Sequence, residues 1–167
     1  AQLLPGSGID LNKFAPAEYP KNVNTPIFLM IARLLRDKGV FEFIGAARNL
    51  KAKYPNARFL LLGAIDAANR TAVDARTVAR WEEEGIIEYH GNKHDVRPYI
   101  RAAHCVVLPS YREGAPRSLI EAAAMARPLI ATDVPGCRSV VADGETGYLC
   151  KARDSEDLAR KMEAFLA

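Results

Sequence analysis

Short apolar runs separated by longer stretches of helical spacing recur along the chain, and this alternation constrains the fold more than any other feature. Ile27–Ile31 reads as a buried strand, and Phe59–Leu62, Ile86–Tyr89, Cys105–Leu108, Leu129–Ala131 and Tyr148–Cys150 read as five more. Between them, Val40, Phe43, Ile44, Ala47 and Leu50 place one apolar stripe on a helix over Val40–Tyr54, which Pro55 ends. Val73–Glu84, Val96–Ala103, Pro116–Ala126 and Ser155–Leu166 complete the helical stretches. Strand then helix, repeated about six times, predicts one α/β domain, a Rossmann-like parallel sheet with helices on both faces. In such sheets ligands sit beyond the carboxyl ends of the strands, on the loops leading into helices.

A length of 167 residues suits one domain, and 49% hydrophobic residues suffice for one core. The net charge of +3 is too small to argue for nucleic acid, and no nucleic-acid motif is present, but it suits an anionic small ligand. Three cysteines, Cys105, Cys137 and Cys150, make a poor disulfide framework and point to a reducing, cytoplasmic compartment. No apolar run approaches the roughly 18 residues of a membrane helix, and no signal peptide is visible. The chain opens without an initiator methionine, as an excised domain would. His90 and His94 lack a third partner in the sequence, so no metal site is expected.

Two loops carry chemistry. The one after the first strand, Ala32 to Gly39, is neither a Gly-x-Gly-x-x-Gly turn nor a P-loop. It offers Arg33, Arg36 and Lys38, which can hold a diphosphate or simply solvate the surface. The one after the fourth strand, Pro109 to Glu121, contains Gly114 and opens a helix whose first amides lack internal partners. A phosphate can rest there, near Arg117, Ser118 and Leu119. Glu113 precedes this anion site, and Glu121 lies beyond it in the helix's second turn. Two carboxylates flanking an anion site make sense around a nucleotide sugar, whose hydroxyls need acceptors. They also fit a plainer reading: Arg117 and Glu121 as an i,i+4 ion pair, and Glu113 at the helix's positive end.

The spacing Glu113–seven residues–Glu121, with Pro109-Ser110-Tyr111-Arg112-Glu113-Gly114 and Glu121-Ala122-Ala123-Ala124-Met125, resembles the signature of glycosyltransferase family 4, the large retaining GT-B family. Leu62-Gly63, Ile86–Tyr89 with Gly91, Ala131 to Gly136, and Asp143 to Leu149 are similar to the family's text as well. So is the opening Pro5-Gly6-Ser7-Gly8-Ile9-Asp10 with Phe14. The resemblance implies one half of a GT-B fold: a C-terminal domain, residues 1–167, that binds the donor, with an N-terminal acceptor domain outside this chain. It implies that Arg33 and Lys38 serve the donor diphosphate, and that Glu113 faces the transferred sugar. It implies further that Gly114, Ala115, Pro116, Arg117, Ser118 and Leu119 form the turn whose amides hold the distal phosphate, and that Glu121 accepts from the ribose hydroxyls. Among these, Glu113, Lys38 and Arg33 are the catalytic candidates.

The implied parent enzyme transfers a hexose, with retention, from a nucleoside-diphosphate sugar to a glycan or lipid-linked acceptor in bacterial capsule, lipopolysaccharide or related synthesis. UDP is the expected nucleotide, no cofactor or metal is expected, and the fragment alone should not turn over. A lipid-linked acceptor would bring the parent to the inner face of the membrane. A non-catalytic nucleotide-binding module and a GT-B UDP-sugar epimerase are the alternatives. The sequence departs from the family's pattern at Ala126, where glycine is usual, and at Ser139, where an acidic residue is common. A left-handed backbone at Ala126 would cost roughly 1 kcal/mol.

Overall fold

Six parallel strands form one sheet in the computed structural model, which describes residues 8–167. They are β1 (Ile27–Ile31), β2 (Arg58–Leu62), β3 (Glu88–Tyr89), β4 (Cys105–Leu108), β5 (Leu129–Thr132) and β6 (Gly147–Cys150). Their spatial order is β3-β2-β1-β4-β5-β6, with β1 between β2 and β4. The helices are α1 (Val40–Lys53), α2 (Ala75–Glu83), α3 (Arg97–Ala102), α4 (Arg117–Ala124), α5 (Pro135–Arg138) and α6 (Ser155–Leu166). A 3-10 turn at Arg36–Lys38 precedes α1.

Period-two alternation divides the strand residues between two cores. Phe28, Met30, Phe59, Leu61, Cys105, Val107 and Ile130 meet α1, α2 and α6 on one face. Leu29, Leu60, Leu62, Val106, Leu108, Leu129 and Ala131 meet α3, α4 and α5 on the other. Both faces are covered, which is why the strands read as continuous apolar runs.

The expected elements are all present, several with shifted ends. The third strand keeps only Glu88–Tyr89, because Ile86 and Ile87 are buried but unpaired in the turn before it. Helix α2 starts two residues later than expected, where the Asp74 carboxylate caps it by accepting from the Thr77 amide at 2.8 Å. Pro116 is the residue before α4, not within it. At the other end of α4, Arg127 N–H donates to Ala122 and Ala126 N–H to Ala123, both at 3.0 Å, closing a Schellman turn. That turn puts Ala126 at φ 61°, the left-handed backbone that its departure from glycine makes costly.

Arg127 itself is buried and faces no carboxylate. Its guanidinium donates to the carbonyls of Glu18 at 2.6 Å, Arg101 at 3.0 Å, Ile100 at 3.1 Å and Ala17 at 3.2 Å. One side chain thereby ties the segment before β1 to the last turn of α3. His104 works beside it: its Nδ1 accepts from the Ile27 amide at 3.0 Å, and its carbonyl accepts from the Tyr19 hydroxyl at 3.1 Å. Of the opening segment that resembles the family, Pro5, Gly6 and Ser7 lie outside the described residues, while Phe14 is buried under the second core.

Candidate functional site

The strand order reverses its direction of growth between β1 and β4, so the chain leaves these neighbours toward opposite faces and opens a crevice at their carboxyl ends. The two loops singled out from sequence are the ones that flank this crevice. They meet in close contact: a Cβ on Gly39 would lie 2.0 Å from the Pro109 carbonyl oxygen, so only glycine permits the approach. The Tyr111 amide then donates to the Asp37 carbonyl at 2.8 Å, fastening one loop to the other.

This contact brings together two candidates 75 residues apart. Lys38 Nζ donates to Glu113 Oε1 at 2.7 Å, with the lysine side chain 27% and the glutamate side chain 10% exposed. The Ser110 hydroxyl donates to the same oxygen at 2.7 Å. Glu113 Oε2 makes no hydrogen bond among the described residues and is not sealed from solvent. The peptide behind Glu113 is pressed by α5, where a Cβ on Gly136 would lie 2.2 Å from the Glu113 carbonyl oxygen.

The turn into α4 exposes amides in a row. Those of Gly114, Ala115, Arg117 and Ser118 find no acceptor within the described residues, and no side chain caps the helix. Two members of the expected phosphate cradle differ. Pro116 has no N–H, and the Leu119 amide is spent on the Pro116 carbonyl at 3.1 Å while its side chain is fully buried in the core. Leu119 therefore anchors the cradle and offers it no amide. Arg117 Nε donates to Glu121 Oε1 at 3.1 Å, so the i,i+4 pair exists. The Glu121 side chain is 11% exposed against 76% for Arg117, so the carboxylate lies inside the crevice wall and its partner outside.

Arg33 stands at the rim, 60% exposed, and its guanidinium lies 3.9 Å from the Asp66 carboxylate after β2. Arg112 is an exposed rim residue as well, 3.7 Å from Asp37. Tyr111 donates its hydroxyl to Glu42 of α1, and Arg153 covers its ring at 4.6 Å from the centroid. Burial among these groups pushes the Tyr111 phenol up to about 12, with the Glu42 carboxylate adding to the shift. Ser110, Gly39, Gly136 and Tyr111 help to form the site, and sequence reasoning, which meets them only inside loops and motifs, gives them no role. A serine and a tyrosine in a loop carry no spacing signal, and a single glycine is silent until its neighbour is known.

Ser139, the second departure from the family's pattern, is exposed and donates its hydroxyl to the Gly136 carbonyl at 2.7 Å. Among the described residues no three His, Cys, Asp or Glu side chains cluster as metal ligands would. A groove of about 480 Å³ opens at the amino ends of β5 and β6, lined by Arg127, Leu129, Gly147, Tyr148 and Phe165. It lies at the opposite end of the strands from these groups.

The doubly wound order, with an amide-lined crevice at its switch point, defines a Rossmann-like α/β domain of GT-B type. The family model "Glycosyl transferases group 1" matches residues 12–167, and the chain belongs to that family. An N,N'-diacetylbacillosaminyl-diphospho-undecaprenol alpha-1,3-N-acetylgalactosaminyltransferase from Campylobacter jejuni is 34% identical over 98% of this chain and 44% of its own length. The capsular polysaccharide biosynthesis glycosyltransferase CapM from Staphylococcus aureus is 26% identical over 95% of the chain and 41% of its own length. The chain thus spans less than half the length of these curated relatives. Among solved structures, sucrose-phosphate synthase from Thermosynechococcus elongatus superposes with a TM-score of 0.77 at 29% identity, covering 95% of this chain and 42% of that one. Anabaena HepE in complex with UDP and glucose superposes at 0.76 and 21% identity, over 96% of this chain and 46% of that one, a likeness of fold. No described helix is long and apolar enough to cross a membrane.

Proposed function

We propose that this chain is the donor-binding part of a retaining bacterial hexosyltransferase that takes a UDP-sugar and passes the sugar to a glycan or lipid-linked acceptor. The observation that carries the reading is the charge layout of the crevice: one ammonium and a row of free amides, flanked by two part-buried carboxylates. The free amides of Gly114, Ala115, Arg117 and Ser118 take the distal phosphate. Lys38 takes its share of the diphosphate by leaving Glu113, and Arg33 closes on it from the rim. Glu113 then faces the sugar, and Glu121 accepts from the ribose. Charge developing on the leaving diphosphate then meets that cation and the fixed amide dipoles, and the reading calls for no metal. The acceptor wall belongs to an N-terminal domain outside this chain, in keeping with the greater length of the relatives. The Campylobacter relative's name, which specifies an N-acetylgalactosaminyl group and a diphospho-undecaprenol acceptor, supports a lipid-linked acceptor. HepE, crystallised with UDP, supports the nucleotide.

Calorimetric titration with UDP, GDP and ADP, with and without Mg²⁺, tests this. UDP is expected to bind preferentially and independently of the metal. Lys38→Ala and Glu121→Ala are each expected to weaken it by about tenfold or more, the scale of one charge-assisted hydrogen bond. Equal affinity for all three nucleotides, or affinity indifferent to both substitutions, would overturn the assignment.

A further inference from the structure

We infer that Ser110 is a positioning residue for the sugar-facing carboxylate, fixing Glu113 in the donor complex through a hydrogen bond to Oε1 and leaving Oε2 for the sugar. This rests on the reading of Glu113 given above and concerns which group holds it. Two donors share Glu113 Oε1, each at 2.7 Å, but they differ in kind. Lys38 ends a flexible four-carbon stem, is partly exposed, and is the cation that an incoming diphosphate draws away. Ser110 is fully buried, has a single side-chain torsion, and has no competing ligand. Its own backbone is held from β5, where the buried Thr132 hydroxyl donates to the Ser110 carbonyl. Thr132 in turn packs beside Cys137 of α5, at 4.0 Å between oxygen and sulfur, and Gly136 of the same helix presses the Glu113 peptide from behind. When Lys38 turns to phosphate, Ser110 remains as the tether, and the second carboxylate oxygen stays pointed at solvent space where the hexose would lie. A serine serving only to fill the strand end would hold the loop equally well with any acceptor.

The test compares dissociation constants for UDP and UDP-N-acetylgalactosamine on this chain, their ratio measuring the sugar's own contribution. Ser110→Ala is expected to leave UDP affinity unchanged, which also shows that the crevice is folded, and to cut the ratio by roughly tenfold. Glu113→Gln is expected to cut it as far, and adding Ser110→Ala to that variant is expected to change nothing further, because the two act as one unit. Ser110→Cys, whose thiol is a weak donor, carries the same expectation should the alanine variant not fold. A ratio untouched by either Ser110 variant, or a loss of equal size with and without Glu113→Gln, would overturn the inference while leaving Glu113 in its place. A ratio untouched by Glu113→Gln, or a native chain that binds both ligands equally, would remove the reading of Glu113 and this inference together.

Discussion

At the scale of single residues, the backbone at Ala126 is a local cost with a simple remedy. Its φ of 61° is forced by the Schellman turn that ends α4, and its side chain is exposed, so nothing is gained by the methyl group. Ala126→Gly is therefore expected to raise stability by about 1 kcal/mol, read from urea unfolding. The cysteines illustrate burial in the other direction. The Cys137 thiol is pushed up to about 11 and that of Cys150 to about 12 by desolvation, and full burial pushes Cys105 up further still. The thiolate is the reactive form. All three are expected to resist iodoacetamide at pH 8 in the folded chain and to react within minutes in denaturant; modification of the native chain at the unfolded rate would contradict the packing described.

Elements stand or fall on a few named groups. Asp154 caps α6 by accepting from the Asp157 amide at 2.9 Å, and Asp157 accepts from the Lys151 amide at 2.8 Å to hold β6 to the helix start. Asp154→Ala is expected to cost about 1 kcal/mol in the same unfolding measurement. Arg127→Met should cost more, roughly 2–4 kcal/mol, since it leaves the carbonyls of two segments without their shared donor. What sequence made legible at this scale follows from range. Ile27–Ile31, Cys105–Leu108 and Ser155–Leu166 have the bounds read from their patterns, because apolar period and flanking breakers are local properties. The four-residue α5 and the 3-10 turn at Arg36–Lys38 are too short to show a period. Glu113 and Glu121 were legible as a spaced pair within one loop and helix. The Lys38–Glu113 bond was not, because it depends on β1 and β4 lying side by side, and strand order is absent from any local pattern. Arg127 was missed for a related reason: its partners are backbone carbonyls, which every residue has.

For the molecule as a whole, the raised acids set how stability responds to alkali. Tyr111, Cys137 and Cys150 hold their protons more tightly folded than unfolded, where the ordinary values are 10.0 for the phenol and 9.0 for the thiols. Their contribution is complete below about pH 9 and is lost as pH climbs toward about 12, since the unfolded chain releases these protons first. Melting temperature is expected to decline across that window, and Tyr111→Phe to soften the decline above about pH 10. Donor binding belongs to the same scale. The purified chain is expected to bind a UDP-sugar without releasing glycosylated product, and turnover by it alone would place an acceptor site on this domain.

The reversal of strand order between β1 and β4 has a consequence for how such a protein can change. The candidate ligand groups hang from a seam where the chain departs both ways, and Leu34 and Leu119 of the same two stretches reach down into the two apolar interiors. The exposed positions of a loop at that seam can be rewritten without repacking either interior, provided those buried anchors and Gly39 are kept. The scaffold is thereby separable from its chemistry: one sheet can be kept as an invariant chassis while its selectivity is redrafted a few residues at a time.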